Sequence, residues 1–238
     1  MRIHPGFLLG FFLAAAVSAH GATIVFDNFS CANSVTLTGA TGFNSSTISC
    51  PGSLGGQRED FILVTSSAGT SSSVTTMNSN PPTGAITGTF GSGIDASEGM
   101  VWGNLSTDEL NLNLVGDSIL VQIQSDSGGT LTAGLCTSFT TGPLCNGDNY
   151  SATFSGSAGY QDVLIPLTGT PAAVLGSGGN LDDVNVVDLF LDLDTPGSTW
   201  TIDGVEAVPE PSTLLLLTIG LVLVVMIRSR CAKSSLRT

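Results

Sequence analysis

Histidine is nearly missing from this sequence. The chain has two, His4 and His20, and no more over the remaining length. A Ser-His-Asp or Cys-His system therefore has no base to draw on, and histidine-based zinc catalysis is excluded with it. Lysine and arginine are almost as scarce. Arg58 is the one basic side chain of that kind between Arg2 and Arg228, whereas all nineteen acidic residues lie between Asp27 and Glu210. A surface of that sign repels a phosphate backbone, so nucleic acid is excluded as a partner. An anionic membrane surface gripped through basic contacts is excluded likewise. Cations, neutral glycans and water are left. Long apolar runs are missing too, except at the two ends, and no long segment of helical period lies between them.

The ends are therefore distinctive. Arg2 supplies a positive charge, Phe7 to Val17 is an uncharged apolar run, and Val17-Ser18-Ala19 offers small residues at a signal peptidase site. This reads as a secretory signal over 1–19, cleaved after Ala19. At the other end Pro209 and Pro211 cannot continue a helix. From Thr213 to Ile227 every residue is apolar, Gly or Thr. A helix of that length rises only about 22 Å against a hydrocarbon core of about 30 Å. Arg228, Arg230, Lys233 and Arg237 follow. Basic residues beside an apolar span stay cytoplasmic, which predicts that the middle of the chain is exported.

The tail Val208-Pro209-Glu210-Pro211-Ser212, with the apolar run and the basic flank behind it, resembles the PEP-CTERM class of sorting signals. A similar tail has also been labelled as the C-terminal domain of ice-binding proteins. The resemblance implies that an exosortase-type membrane enzyme recognises the motif and cleaves the anchor. It also implies a Gram-negative bacterium that makes extracellular polysaccharide or biofilm. The domain expectation is then a signal peptide over 1–19, an ectodomain over 20–207 and a sorting signal over 208–238. The last divides into the motif 208–212, a transmembrane helix 213–227 and a basic tail 228–238.

The middle is rich in Gly, Ser, Thr, Asn and Val, and short alternating runs are bounded by turn residues. The clearest are Leu110 to Leu114 and Leu189 to Leu193; others are Phe61 to Thr65, Ala85 to Phe90, Ser118 to Gln124, Tyr160 to Leu167 and Thr199 to Val205. Many short strands without helices predict an all-β sandwich. Four cysteines, Cys31, Cys50, Cys136 and Cys145, lie in the exported region and allow three connectivities. The pairs Cys31–Cys50 and Cys136–Cys145 are favoured because each closes a local loop, and the compartment permits both.

The order of Phe26-Asp27-Asn28-Phe29, Arg58-Glu59-Asp60-Phe61, Val101-Trp102 and Trp200-Thr201-Ile202-Asp203-Gly204-Val205 resembles the jelly-roll sandwiches of carbohydrate-binding modules. That resemblance implies calcium between the first and last strands, at Asp27 and Asp203. Independently, Asp182 and Asp183 beside Asn180 suit a loop site for calcium, which prefers hard oxygen ligands. Glycan binding usually needs exposed aromatics. Trp102 and Trp200 sit in core-like contexts, Tyr160 is a further candidate, and Tyr150 is the one expected to be exposed. A glycosidase needs only two carboxylates, for which Glu59-Asp60, Asp95 with Glu98, and Asp108-Glu109 are available. Thr36-Leu37-Thr38, Thr87-Gly88-Thr89 and Thr130-Leu131-Thr132 have the local pattern of a threonine array, but their irregular spacing implies no solenoid repeat. The leading expectation is a non-enzymatic surface or matrix protein associated with exopolysaccharide. The alternatives are a calcium-dependent carbohydrate-binding module and a secreted glycosidase.

Overall fold

The structure, a computed structural model, describes residues 22–39, 41–67, 74–81, 83–103, 109–139 and 145–210. The chain divides into two units: Thr23–Val208, and a second made of Met1–Ala22 with Pro209–Thr238. The signal peptide expected over 1–19 lies outside the described residues. So do Pro211, the transmembrane helix expected over 213–227, and the basic tail with Arg228, Arg230, Lys233 and Arg237. Among the described residues no helix is long and apolar enough to cross a membrane.

Thr23–Val208 is an all-β sandwich of two antiparallel sheets. Its strands are β1 (Ile24–Asp27), β2 (Asn33–Thr38), β3 (Gly42–Ser49), β4 (Gln57–Ser67), β5 (Val74–Asn80), β6 (Ala85–Thr89) and β7 (Ile94–Trp102). They continue with β8 (Asp117–Ser125), β9 (Gly129–Phe139), β10 (Cys145–Phe154), β11 (Ser157–Pro166), β12 (Ala173–Leu175), β13 (Val186–Leu193) and β14 (Thr199–Pro209). Sheet A runs β11-β8-β14-β6-β5-β2, with β1 also pairing β14; sheet B runs β12-β10-β9-β13-β7-β4-β3. Neighbours are mostly distant in sequence, as in a sandwich whose strands cross between sheets.

Period-2 alternation explains which faces meet. Ile119, Val121 and Ile123 of β8 are fully buried, while Gln122 between them is exposed. From sheet B, Ile62, Val64, Met100, Leu131, Leu135, Leu189 and Leu191 meet them in one cluster. Each such aliphatic side chain contributes about 1.5–3 kcal/mol by leaving water. At one edge of the sandwich, side-chain amides take the place of a ladder. Asn33 Nδ2 of β2 donates to Ser46 O at 3.0 Å, and Asn44 Nδ2 of β3 donates to Thr36 O at 2.8 Å. Those contacts cover an edge that would otherwise be open to pairing.

Leu110–Leu114 differs from expectation. Its leucines do point inward, but the segment is no strand. Asn111 adopts φ 51°, which breaks the extended chain, and only Leu112 bridges to Val184. Strands β2, β3, β5, β9 and β10, rich in Ser, Thr, Asn and Gly, are not among the strongest alternating runs, nor are β7 and the three-residue β12. Their pairing comes from neighbours rather than from their own apolar pattern.

Candidate functional site

One strand, β4, separates two chemistries. Arg58, Asp60, Ile62 and Val64 face the interior; Glu59, Phe61 and Leu63 face outward. Inside, Arg58 is fully buried. Its Nε donates to Asp60 Oδ1 at 2.7 Å, Nη1 to Asp27 Oδ2 at 2.9 Å and Nη2 to Ser79 Oγ at 2.8 Å. Asp27 also accepts from Phe29 N at 2.6 Å, from Trp102 Nε1 at 3.2 Å and from Ser53 Oγ. Asn33 Nδ2 donates to Asp60 Oδ2 at 2.7 Å. The guanidinium lies 5.2 Å from the centre of the Phe29 ring. Burial alone would lower the Arg58 pKa, but the Asp60 and Asp27 carboxylates raise it above its ordinary value. The cluster ties β1, β2 and β5 of sheet A to β4 and β7 of sheet B with its charges paired.

Glu98 of β7 is also fully buried, but it has no counter-charge. Its Oε2 accepts from Trp200 Nε1, while Oε1 has no hydrogen-bond partner. Burial pushes its pKa up to about 8, against the pull of the Trp200 bond. Gly88 makes the pair possible, because a Cβ there would stand 2.2 Å from Glu98 Oε2 and 2.3 Å from the indole. A neutral acid enclosed this way belongs to the core.

The outward face of sheet B is different. The register brings Ser45, Phe61, Gly99, Phe190, Thr132 and Ser151 into one row across β3, β4, β7, β13, β9 and β10. Phe43, 60% exposed, stacks on Phe61 with centroids 6.2 Å apart; Phe61 meets Phe190 edge-on at 5.3 Å. Gly99 leaves room for this closure, since a Cβ would stand 2.4 Å from Phe61 Cζ. Phe61 is buried yet is not part of the core cluster, so it is covered by its own aromatic neighbours. Carboxylates and hydroxyls flank the stripe. On one side the row holds Glu59, Val101, Asp188, Gly134 and Asn149; on the other it holds Leu63, Ser97, Asp192 and Thr130. Burial pushes Asp188 up to about 7, and Glu59 adds repulsion. Over the bare Cα of Gly134, Asn149 Oδ1 and Asp188 Oδ2 lie 3.2 and 3.5 Å from where a Cβ would stand. Asn149 Oδ1 has no hydrogen-bond partner.

The expected site residues fall elsewhere. Asp27 and Asp203 do reach one shallow cavity of about 190 Å³ between β1 and β8, but Asp27 is committed to its donors. Asp182 and Asp183 sit in an exposed turn, where they accept from Asn113 and Asn185. Among the described residues no three His, Cys, Asp or Glu side chains converge to hold a metal. Glu59 and Asp60 point to opposite faces, Asp95 is exposed while Glu98 is buried, and Asp108 lies outside the described residues. Tyr150 is 6% exposed and packs in the core, contrary to expectation, because its strand neighbour Asn149 takes the outward position. Trp102 and Trp200 are core residues, as their contexts indicated. Cys31 and Cys50 are disulfide-bonded across 19 residues. Cys136 is disulfide-bonded as well, and the Cys145 side chain expected to be its partner lies outside the described ones.

Sequence reasoning missed Phe43, Phe61 and Phe190. A signal was present. The run Phe61-Ile62-Leu63-Val64 is apolar on both parities, and Phe190 interrupts the acidic parity of Asp188 and Asp192. On the outer face of sheet A, pairing also aligns Thr36, Thr76, Thr89 and Thr199 across four adjacent strands. Sheet twist of about 20–25° per strand turns that row out of a single plane.

Residues 207–230 match the protein family described as the PEP-CTERM protein-sorting motif. No curated protein matches the chain. Among solved structures, the chain is similar to the family 11 carbohydrate-binding module from Clostridium thermocellum in complex with a β-1,3-1,4-mixed-linked tetrasaccharide. The identity is 11%, the TM-score 0.41, and the match covers 79% of this chain and 95% of that one. A family 29 carbohydrate-binding module gives 10% identity and a TM-score of 0.35 over 75% and 90% of the two chains. A structure described as CBM4 gives 14% and 0.35 over 56% and 75%.

Proposed function

We propose that this chain is an exported, non-enzymatic surface or matrix protein that associates with polysaccharide through the outer face of sheet B. Its C-terminal sorting segment brings it to an exosortase-type membrane enzyme, after a signal peptidase has removed residues 1–19. One observation carries the binding reading: Phe43 stands exposed at the head of an aromatic stripe that no core contact requires. An exposed ring with hydroxyls nearby suits a ligand with apolar faces and hydroxyl edges. Acid pairs that point to opposite faces favour binding over hydrolysis.

The test is affinity electrophoresis of the full-length chain through gels containing polysaccharides of different linkage and charge, beside Phe43→Ala. Retardation of the native chain and its loss in the variant is the expected result. Equal mobility of both in every gel would remove the reading. Intact-mass measurement of the protein from its native surface tests the sorting part, with loss of the residues after the motif expected.

A further inference from the structure

We propose that the outer face of sheet B docks a cationic, amine-bearing glycan strand, laid across the strands along the Phe61–Phe190 row. The inference rests on the polysaccharide reading above and narrows the ligand. Charge complementarity is its ground. Glu59, Asp188 and Asp192 flank the aromatic stripe on both sides. The one Lys or Arg between residues 22 and 210 is Arg58, which is buried on the opposite face and bonded to two carboxylates. Nothing on this face can therefore neutralise an acidic polysaccharide, and its own carboxylates are left without counter-ions. Burial, and Glu59 across Val101, hold the proton on Asp188 up to about pH 7. An ammonium arriving there favours its ionised form, so docking releases that proton. Aromatic rings beside carboxylates suit cations twice over, because ring faces attract them as well.

A glycan fits this face better than a basic peptide. Thr132 and Ser151 share a hydroxyl contact at 2.9 Å beyond Phe190, and Thr130 flanks them, so the track ends in groups that pair with hydroxyls. Six strands at about 4.8 Å spacing give a track of roughly 24 Å, the length of several sugar units.

The experiment compares three probes on the full-length chain by calorimetric titration near pH 6: glucosamine hexamer, N-acetylglucosamine hexamer and hexalysine. Expected is about tenfold or greater preference for the glucosamine hexamer over its acetylated form, shrinking at high salt. Glu59→Gln with Asp188→Asn should abolish that preference, while Phe43→Ala should weaken both sugars; each variant is first shown to keep its unfolding transition. Equal affinity for the two sugars would overturn the cationic ligand and leave the polysaccharide reading standing. Hexalysine binding as tightly as the glucosamine hexamer, with the same sensitivity to the variants, would assign the face to a basic peptide and overturn the proposal. Absence of binding to all three probes would also overturn it, and the electrophoresis above then decides separately whether polysaccharide binds at all.

Discussion

Arg58 and Asp60 point into the sandwich, and Glu59, between them on the same strand, points out. The Arg58 cluster and the outer face hold their acids in opposite conditions. Inside, Asp27 and Asp60 are surrounded by donors, and both pair with the single positive charge of the Arg58 guanidinium. Outside, Glu59, Asp188 and Asp192 have no Lys or Arg beside them. A saturated polar cluster holds the fold together, because any further ligand would have to displace a bond already made. Surface carboxylates without a counter-charge add little to the fold and are free to meet a cation from solution.

That contrast can be broken most forcefully at its centre. Arg58→Met leaves two buried carboxylates without a counter-charge and is expected to cost about 3–5 kcal/mol in denaturant unfolding. A loss below about 1 kcal/mol would show that the inner cluster does not hold the sheets together. Glu98 comes next. Folded, it keeps its proton up to about pH 8; unfolded, it releases it near its ordinary value of 4.5. Its contribution to stability is therefore whole below about pH 4.5, falls as pH rises through that interval and is gone above about 8. The span corresponds to a loss on the order of 5 kcal/mol, and Glu98→Gln should remove that slope from urea midpoints measured across the range. Asp188 acts in the same direction over the interval up to about 7, so Asp188→Asn should flatten the curve further.

The Cys31–Cys50 disulfide belongs to the inner side of the comparison, since Cys50 and Ser53 lead the chain from Asp27 toward Arg58. Replacing both cysteines by serine opens a loop of 19 residues and should cost about 3 kcal/mol. The smallest effect is expected outside. Glu59→Gln should change stability by no more than about 0.5 kcal/mol, although it is the immediate neighbour of Arg58. A large loss there would mean that the outer face also serves the fold.

Much of this was legible in the chain. Alternation in β8 and β13 announced half-buried strands, and the scarcity of histidine closed off whole classes of chemistry. The core positions of Trp102 and Trp200 followed from their apolar surroundings. Tyr150 lies inside, against expectation, because one residue of register decides inside from outside, and the Asn146-Gly147-Asp148-Asn149 run before it in β10 has no apolar alternation to reveal that register. The Leu110–Leu114 segment was misjudged because alternation records which side chains are buried, not whether the backbone finds a partner strand.

By itself, the sequence determined the all-β class, the acidic character of the middle of the chain and the sorting motif after it. These depend on composition and on residues close together along the chain. Only the tertiary structure decided that Phe43, Phe61 and Phe190 would form one stripe, that Thr36, Thr76, Thr89 and Thr199 would form one row, and that Asp27 would be spent on Arg58. Each of those groupings joins strands far apart in sequence, and the register between such strands is set by how two whole sheets bury their apolar faces against each other.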